Sequence, residues 1–102
     1  MTEHSYAADL ATAIEDGVPE NLAPALVKWI QQHRRPGDFL TAVLKNDLRE
    51  AVGRAADMSI VLALPAIVTF LYMRAPGKCW GSKADIEYWE KQTPNARTSR
   101  LM

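Results

Sequence analysis

Residues 58–73 read MSIVLALPAIVTFLYM, sixteen residues between Asp57 and Arg74 without one formal charge. A segment hydrophobic nearly all round is the mark of a helix enclosed by other helices. It falls short of the roughly 20 apolar residues that a spanning helix needs, and Pro65 interrupts it, so it reads as a buried core helix over 59–73 and not as a membrane span. Proline removes one internal hydrogen bond and crowds the preceding turn. The helix is therefore expected either to bend at Pro65 or to begin near Leu64.

Working outward, Pro76-Gly77 ends this element, and Ser82 with Asp85 three residues on forms a loose capping box for a last helix over 82–92. Ile86 and Trp89 give that helix an inward stripe. Upstream, Asp38 is placed to cap a helix over 38–56. Its apolar residues Phe39, Leu40, Val43, Leu44, Leu48, Ala51, Val52 and Ala55 keep one 3.6-residue phase. That phase runs through Asn46-Asp47, which favours one long helix over two short ones. A helix over 20–33 presents Leu22, Leu26, Trp29 and Ile30, with His33 at its edge, and is broken by Arg34-Arg35-Pro36-Gly37. A first helix over 5–16 presents Tyr6, Leu10, Ala13 and Ile14 and stops at Gly17. No strand alternation or internal repeat stands out. The expected fold is all-α: a compact single-domain bundle of four or five helices around the central apolar helix, with residues 1–93 as the domain and 94–102 as a flexible basic tail.

At 102 residues there is room for one core, and 48% apolar with 24% charged residues places the chain among globular proteins rather than disordered ones. Net charge is zero but unevenly spread. Residues 1–27 hold five acids and no Lys or Arg, whereas residues 28–102 hold twelve bases against seven acids. A balanced total argues against a dedicated nucleic-acid binder. The single Cys79 cannot form an internal disulfide, and the acidic first segment lacks the apolar stretch of a signal peptide. Both observations suit a cytoplasmic protein.

Catalytic chemistry has little to stand on. His33 reads as a capping or surface group at a helix end, and Cys79 between Lys78 and Trp80 as a half-buried packing residue. No metal-ligand spacing, phosphate loop or nucleophile elbow is present. The chain is therefore expected to be no enzyme, to use no cofactor or metal, and to have no catalytic residues. Of three tryptophans, Trp29 and Trp89 read as core anchors. Trp80, in a loop between Cys79 and Gly81, either plugs the end of the bundle or stands available to a partner.

A helix-turn-helix would split the third helix at Lys45-Asn46-Asp47 and leave Leu48 to Ala55 as the reading helix, with Arg49 and Arg54 outward. Asp47 and Glu50 would then meet phosphates, which counts against it.

Several segments together resemble a family of short uncharacterised helical proteins encoded by temperate bacteriophages and prophages. They are Pro36-Gly37-Asp38-Phe39-Leu40-Thr41-Ala42-Val43-Leu44, Asn46-Asp47-Leu48, Ala56-Asp57, Leu64-Pro65-Ala66-Ile67-Val68 with Phe70-Leu71-Tyr72, Ala75-Pro76, Cys79-Trp80-Gly81-Ser82 and Trp89. The resemblance covers roughly residues 19–90. It implies expression from phage or prophage DNA in a bacterial cytoplasm, and a non-catalytic accessory role in which the protein binds and inhibits or redirects a host protein.

The residues expected to carry such binding are Arg34, Arg35, Asp38, Lys78 and Trp80, which lie in loops and are not needed for the core pattern. The acidic first helix, with Glu3, Asp9, Glu15 and Asp16, offers a complementary face to a basic partner or a second copy. The alternative is a small transcriptional or nucleic-acid-binding regulator using Arg49, Arg54, Arg97 and Arg100. A third reading is self-association into a homodimer through excess apolar surface on the fourth helix.

Overall fold

Local signals in the chain place most helix ends where the computed structural model, which describes residues 5–92, shows them. The helices are α1 (Tyr6–Glu15), α2 (Ala23–Gln32), α3 (Asp38–Leu44), α4 (Leu48–Arg54), α5 (Met58–Leu62), α6 (Leu64–Arg74) and α7 (Lys83–Lys91), with a 3-10 turn at Gly77–Cys79. Among the described residues there is no strand. The fold is an all-helical single globule, and its radius of gyration of 13.4 Å is that of a compact chain of this length.

Four helix starts are capped by side chains accepting backbone N–H groups: Ser5 from Ala8, Asp47 from Glu50, Asp57 from Ile60 and Ser82 from Asp85. Each satisfies an otherwise orphaned donor. Asp38 is not such a cap. It is the first residue of α3, whose N-cap is Gly37, and it lies exposed in the opening turn. Pro24 and Pro65 each occupy the opening turn of their helix, where a missing N–H costs nothing.

The long third helix does not form. Asn46 adopts a left-handed backbone (φ 65°) and its N–H donates to the Val43 carbonyl, while the Asp47 N–H reaches back to Ala42. These are the two bonds of a Schellman stop. Asp47 then caps α4, so the chain turns and reverses into an α3–α4 hairpin. Leu48 and Val52, counted as core by their phase, are left exposed and only Ala51 of α4 is buried.

The apolar run is also two helices rather than one. Pro65 cannot donate to Val61, the backbone loosens at Ala63, and α6 begins at Leu64. Nor is this element enclosed. Leu64, Ile67, Phe70 and Leu71 are buried, but Met58, Leu62, Val68, Tyr72 and Met73 face water. The middle of the molecule is instead α2, whose Leu26, Val27 and Trp29 are fully covered.

Long-range polar bonds tie the outer helices to that centre. The Trp29 indole N–H donates to the Cys79 carbonyl (3.0 Å), and the Trp89 indole N–H to the Trp29 carbonyl (2.9 Å). His33 closes α2 in the left-handed region (φ 60°). It is buried rather than a surface group: its ring stacks on Trp89 at 4.2 Å, and Nδ1–H donates to the Trp89 carbonyl at 2.7 Å. Arg74 at the end of α6 pairs with Asp16 at the end of α1. Gly17 (φ +103°) lets the α1–α2 turn press on α6, where any Cβ would stand 3.0 Å from that of Ala66.

Candidate protein-docking groove

The three tryptophans meet two different fates. Trp29 and Trp89 have satisfied N–H groups inside the fold. Trp80 is half-buried, and among the described residues its indole N–H has no hydrogen-bond partner. Because no polar side-chain atom there is buried without one, that donor reaches solvent. A half-buried indole whose N–H is open to solvent is suited to anchoring a partner.

Its position is fixed from both sides. Cys79 before it is fully buried and held through its carbonyl by Trp29. After it, Gly81 (φ +126°) donates its N–H to the Leu44 carbonyl at the end of α3 (2.7 Å). Trp80 thus lies where the α3–α4 turn, the end of α6 and the 3-10 turn converge. Around it is a surface depression of about 440 Å³ lined by Asn46, Tyr72, Ala75, Gly77, Trp80 and Gly81. A smaller one of about 60 Å³ adjoins it through Asn46 and Trp80, with Leu48, Leu64 and Val68 on its walls. The two form one groove, apolar along α6 and α4 and polar at Asn46 and Asp47. Exposed Lys78 follows Gly77 in the 3-10 turn.

The five residues singled out from sequence are not brought together. Lys78 and Trp80 are at the C-terminal end of α3, whereas Arg34, Arg35 and Asp38 are at its N-terminal end, and seven residues of helix separate the ends by about 10 Å. Arg35 makes a two-pronged pair with Glu90 at 2.8 and 3.1 Å, which holds that carboxyl below its ordinary range and the guanidinium above its own. Arg34 is exposed and has no ion pair among the described residues. Asp38 receives a long contact from Arg54 at 3.5 Å. Sequence reasoning missed Asn46 and Tyr72. The first required recognising that Asn can stop a helix, the second that the apolar run has an open face.

Of the residues of the nucleic-acid alternative, Arg49 and Arg54 both lie on α4. The α3–α4 break falls where that alternative placed it, and Arg49 is exposed. Arg54, however, is engaged by Glu50 at 2.8 Å as well as by Asp38, which keeps its guanidinium charged but occupied. Arg97 and Arg100 lie outside the described residues.

Burial pushes the Cys79 thiol up to about 12, so it carries no thiolate near neutral pH and is no nucleophile there. Among the described residues no group of His, Cys, Asp and Glu is arranged to hold a metal, and no helix is long and apolar enough to cross a membrane. Comparison with protein-family models, curated proteins and solved structures finds no match for this chain.

Proposed function

We propose that the chain is a non-catalytic accessory protein of a temperate phage or prophage, acting in the bacterial cytoplasm by stoichiometric binding that inhibits or redirects a host protein. The observation that carries the binding part is Trp80: a half-buried indole whose N–H reaches solvent, on a backbone held at both neighbours and beside an apolar groove. A preorganised aromatic anchor loses little entropy on docking, which is how a small surface gains affinity. The partner segment would lay an apolar side chain between Trp80 and Tyr72 and accept the Trp80 N–H with a carbonyl. The phage origin and the host target rest on the sequence resemblance alone.

Affinity capture from bacterial lysate tests this, comparing the wild type with Trp80→Ala and Arg34→Ala/Arg35→Ala. A specifically retained protein that is lost with Trp80→Ala and kept with the arginine pair supports the groove. Equal retention by all three refutes it.

The α3–α4 turn gives the regulator reading one structural observation in its favour. Against it, Asp38, Asp47 and Glu50 match Lys45, Arg49 and Arg54 in number, leaving the hairpin no excess of positive charge. A gel-shift assay at two salt concentrations separates the readings, since phosphate binding weakens steeply as salt rises.

A further inference from the structure

The outward face of α5–α6 carries a pattern of its own. Met58, Leu62, Pro65, Thr69 and Tyr72 succeed one another at intervals of four, three, four and three residues, and all five are exposed. That is the spacing of a seam by which one helix packs along another. The joint does not break it: only Ala63 separates the two helices, and its backbone stays in the right-handed helical region (φ −82°, ψ −7°). Val68 and Met73 flank the seam.

The area is large for a surface meant to stay wet. Met58, Leu62, Val68, Tyr72 and Met73 are 65%, 72%, 39%, 78% and 69% exposed. At about 200 Å² for a fully exposed large side chain, they leave on the order of 600 Å² of apolar surface open. The largest patch on a typical monomer is about 300–600 Å². With Leu48, which adjoins Val68 in the groove, and Val52 one turn on, the patch approaches the roughly 800 Å² per partner of a stable interface.

We propose that this seam is a dimerisation face, on which a second copy of the chain lays its own α5–α6 segment antiparallel, about a two-fold axis at the level of Ile67. In that register Leu62 meets Tyr72 of the second copy and Pro65 meets Thr69, so small residues face each other at the centre and bulky ones at the ends. Antiparallel packing sets helix dipoles in the favourable sense and brings exposed Asp57 towards exposed Lys78 of the other copy. A parallel pair would set Asp57 against Asp57. The self-match is free of repulsion because no charge lies between Asp57 and Arg74. A lipid surface fits less well, since interfacial helices flank their apolar face with Lys and Arg and this segment carries only Arg74, at its end and paired with Asp16. The seam rests on observations separate from the Trp80 docking reading, and the patch meets that groove at Tyr72, Val68 and Leu48.

Sedimentation velocity across a dilution series reads the mass directly. The wild type should run as two chains that dissociate on dilution. Leu62→Glu, at a position open to water in the folded chain, should keep its circular dichroism spectrum yet raise the dimer Kd at least about 100-fold, because a carboxylate would be buried unpaired. The double variant Leu62→Cys/Tyr72→Cys should cross-link two chains on mild oxidation, and Leu62→Cys alone should not. A wild type that is monomeric throughout overturns the proposal, as does a dimer indifferent to Leu62→Glu or cross-linking by the single cysteine variant. Binding of the monomer to phosphatidylcholine–phosphatidylglycerol vesicles would assign the face to lipid and equally overturn it.

Discussion

Replacing Trp29 by Phe perturbs the fold at its centre. The side chain is fully buried and its N–H is donated to the Cys79 carbonyl at 3.0 Å. Phenylalanine keeps most of the apolar contact but withdraws that donor and leaves a space where the second ring was. The unsatisfied carbonyl costs about 1–3 kcal/mol, and the lost packing adds about 1 kcal/mol. A total near 3 kcal/mol is a large share of the roughly 5–15 kcal/mol that holds small domains folded. It would lower the melting temperature by about 10–20 °C.

Trp89→Phe is the matched control. It too loses an indole donor, but the Trp29 carbonyl that received it also accepts the His33 backbone N–H at 3.1 Å and so is not orphaned. The phenyl ring can still stack on His33. That change should cost only about 1 kcal/mol. Urea denaturation of both variants, followed by far-ultraviolet circular dichroism, measures the difference. Equal costs, or a Trp29→Phe variant as stable as wild type, would refute the placement of Trp29 as the polar anchor of the C-terminal segment.

Gly17→Ala should destabilise by about 1–3 kcal/mol in thermal denaturation, because its φ of +103° strains any L side chain and the new Cβ would meet that of Ala66 at 3.0 Å. Cys79 should resist a thiol reagent at mildly alkaline pH in the folded protein and react promptly in urea, since burial holds its thiol near 12. Fast labelling of the native state would contradict that burial. Glu90 is held below its ordinary value of 4.5 in the folded state by Arg35. Its pairing therefore stabilises above that value and is lost as pH falls through the depressed one. Both side chains are well exposed (39% and 42%), so solvent screening limits the effect to about 0.5 kcal/mol. Glu90→Gln should match that small loss at neutral pH and converge with wild type in acid.

The ends of α1, α2 and α7 could be read from the chain because local chemistry decides them: a left-handed glycine at Gly17, the Pro36-Gly37 break, and the Ser82 cap. The break between α3 and α4 was hidden by the persistence of the apolar phase through Asn46-Asp47. Leu48 and Val52 keep the phase in sequence yet face water, so apolar spacing alone cannot separate a hairpin from a continuous helix. The capping signal, Asp47 followed by Glu50, was the better guide. The run at residues 58–73 misled for another reason. Hydrophobicity on all sides shows that a helix dislikes water, not that the chain has enough material to cover it. Trp80 was legible as a surface candidate because it sits between a cysteine and a glycine outside any helical stripe. Its neighbours in the groove come from distant segments that only the tertiary fold assembles.

The bonds that Trp29 makes, outward to Cys79 and inward from Trp89, span fifty and sixty positions of the chain. A core secured by such remote partners gains them only after loop closure has been met, which slows folding. As the protein emerges from a ribosome, α2 remains without its keystone contacts until α7 has been made. Earlier intermediates would expose Leu26 and Trp29 to whatever chaperone is nearest. Native-state hydrogen exchange should accordingly find α2 and α7 opening together as one cooperative unit.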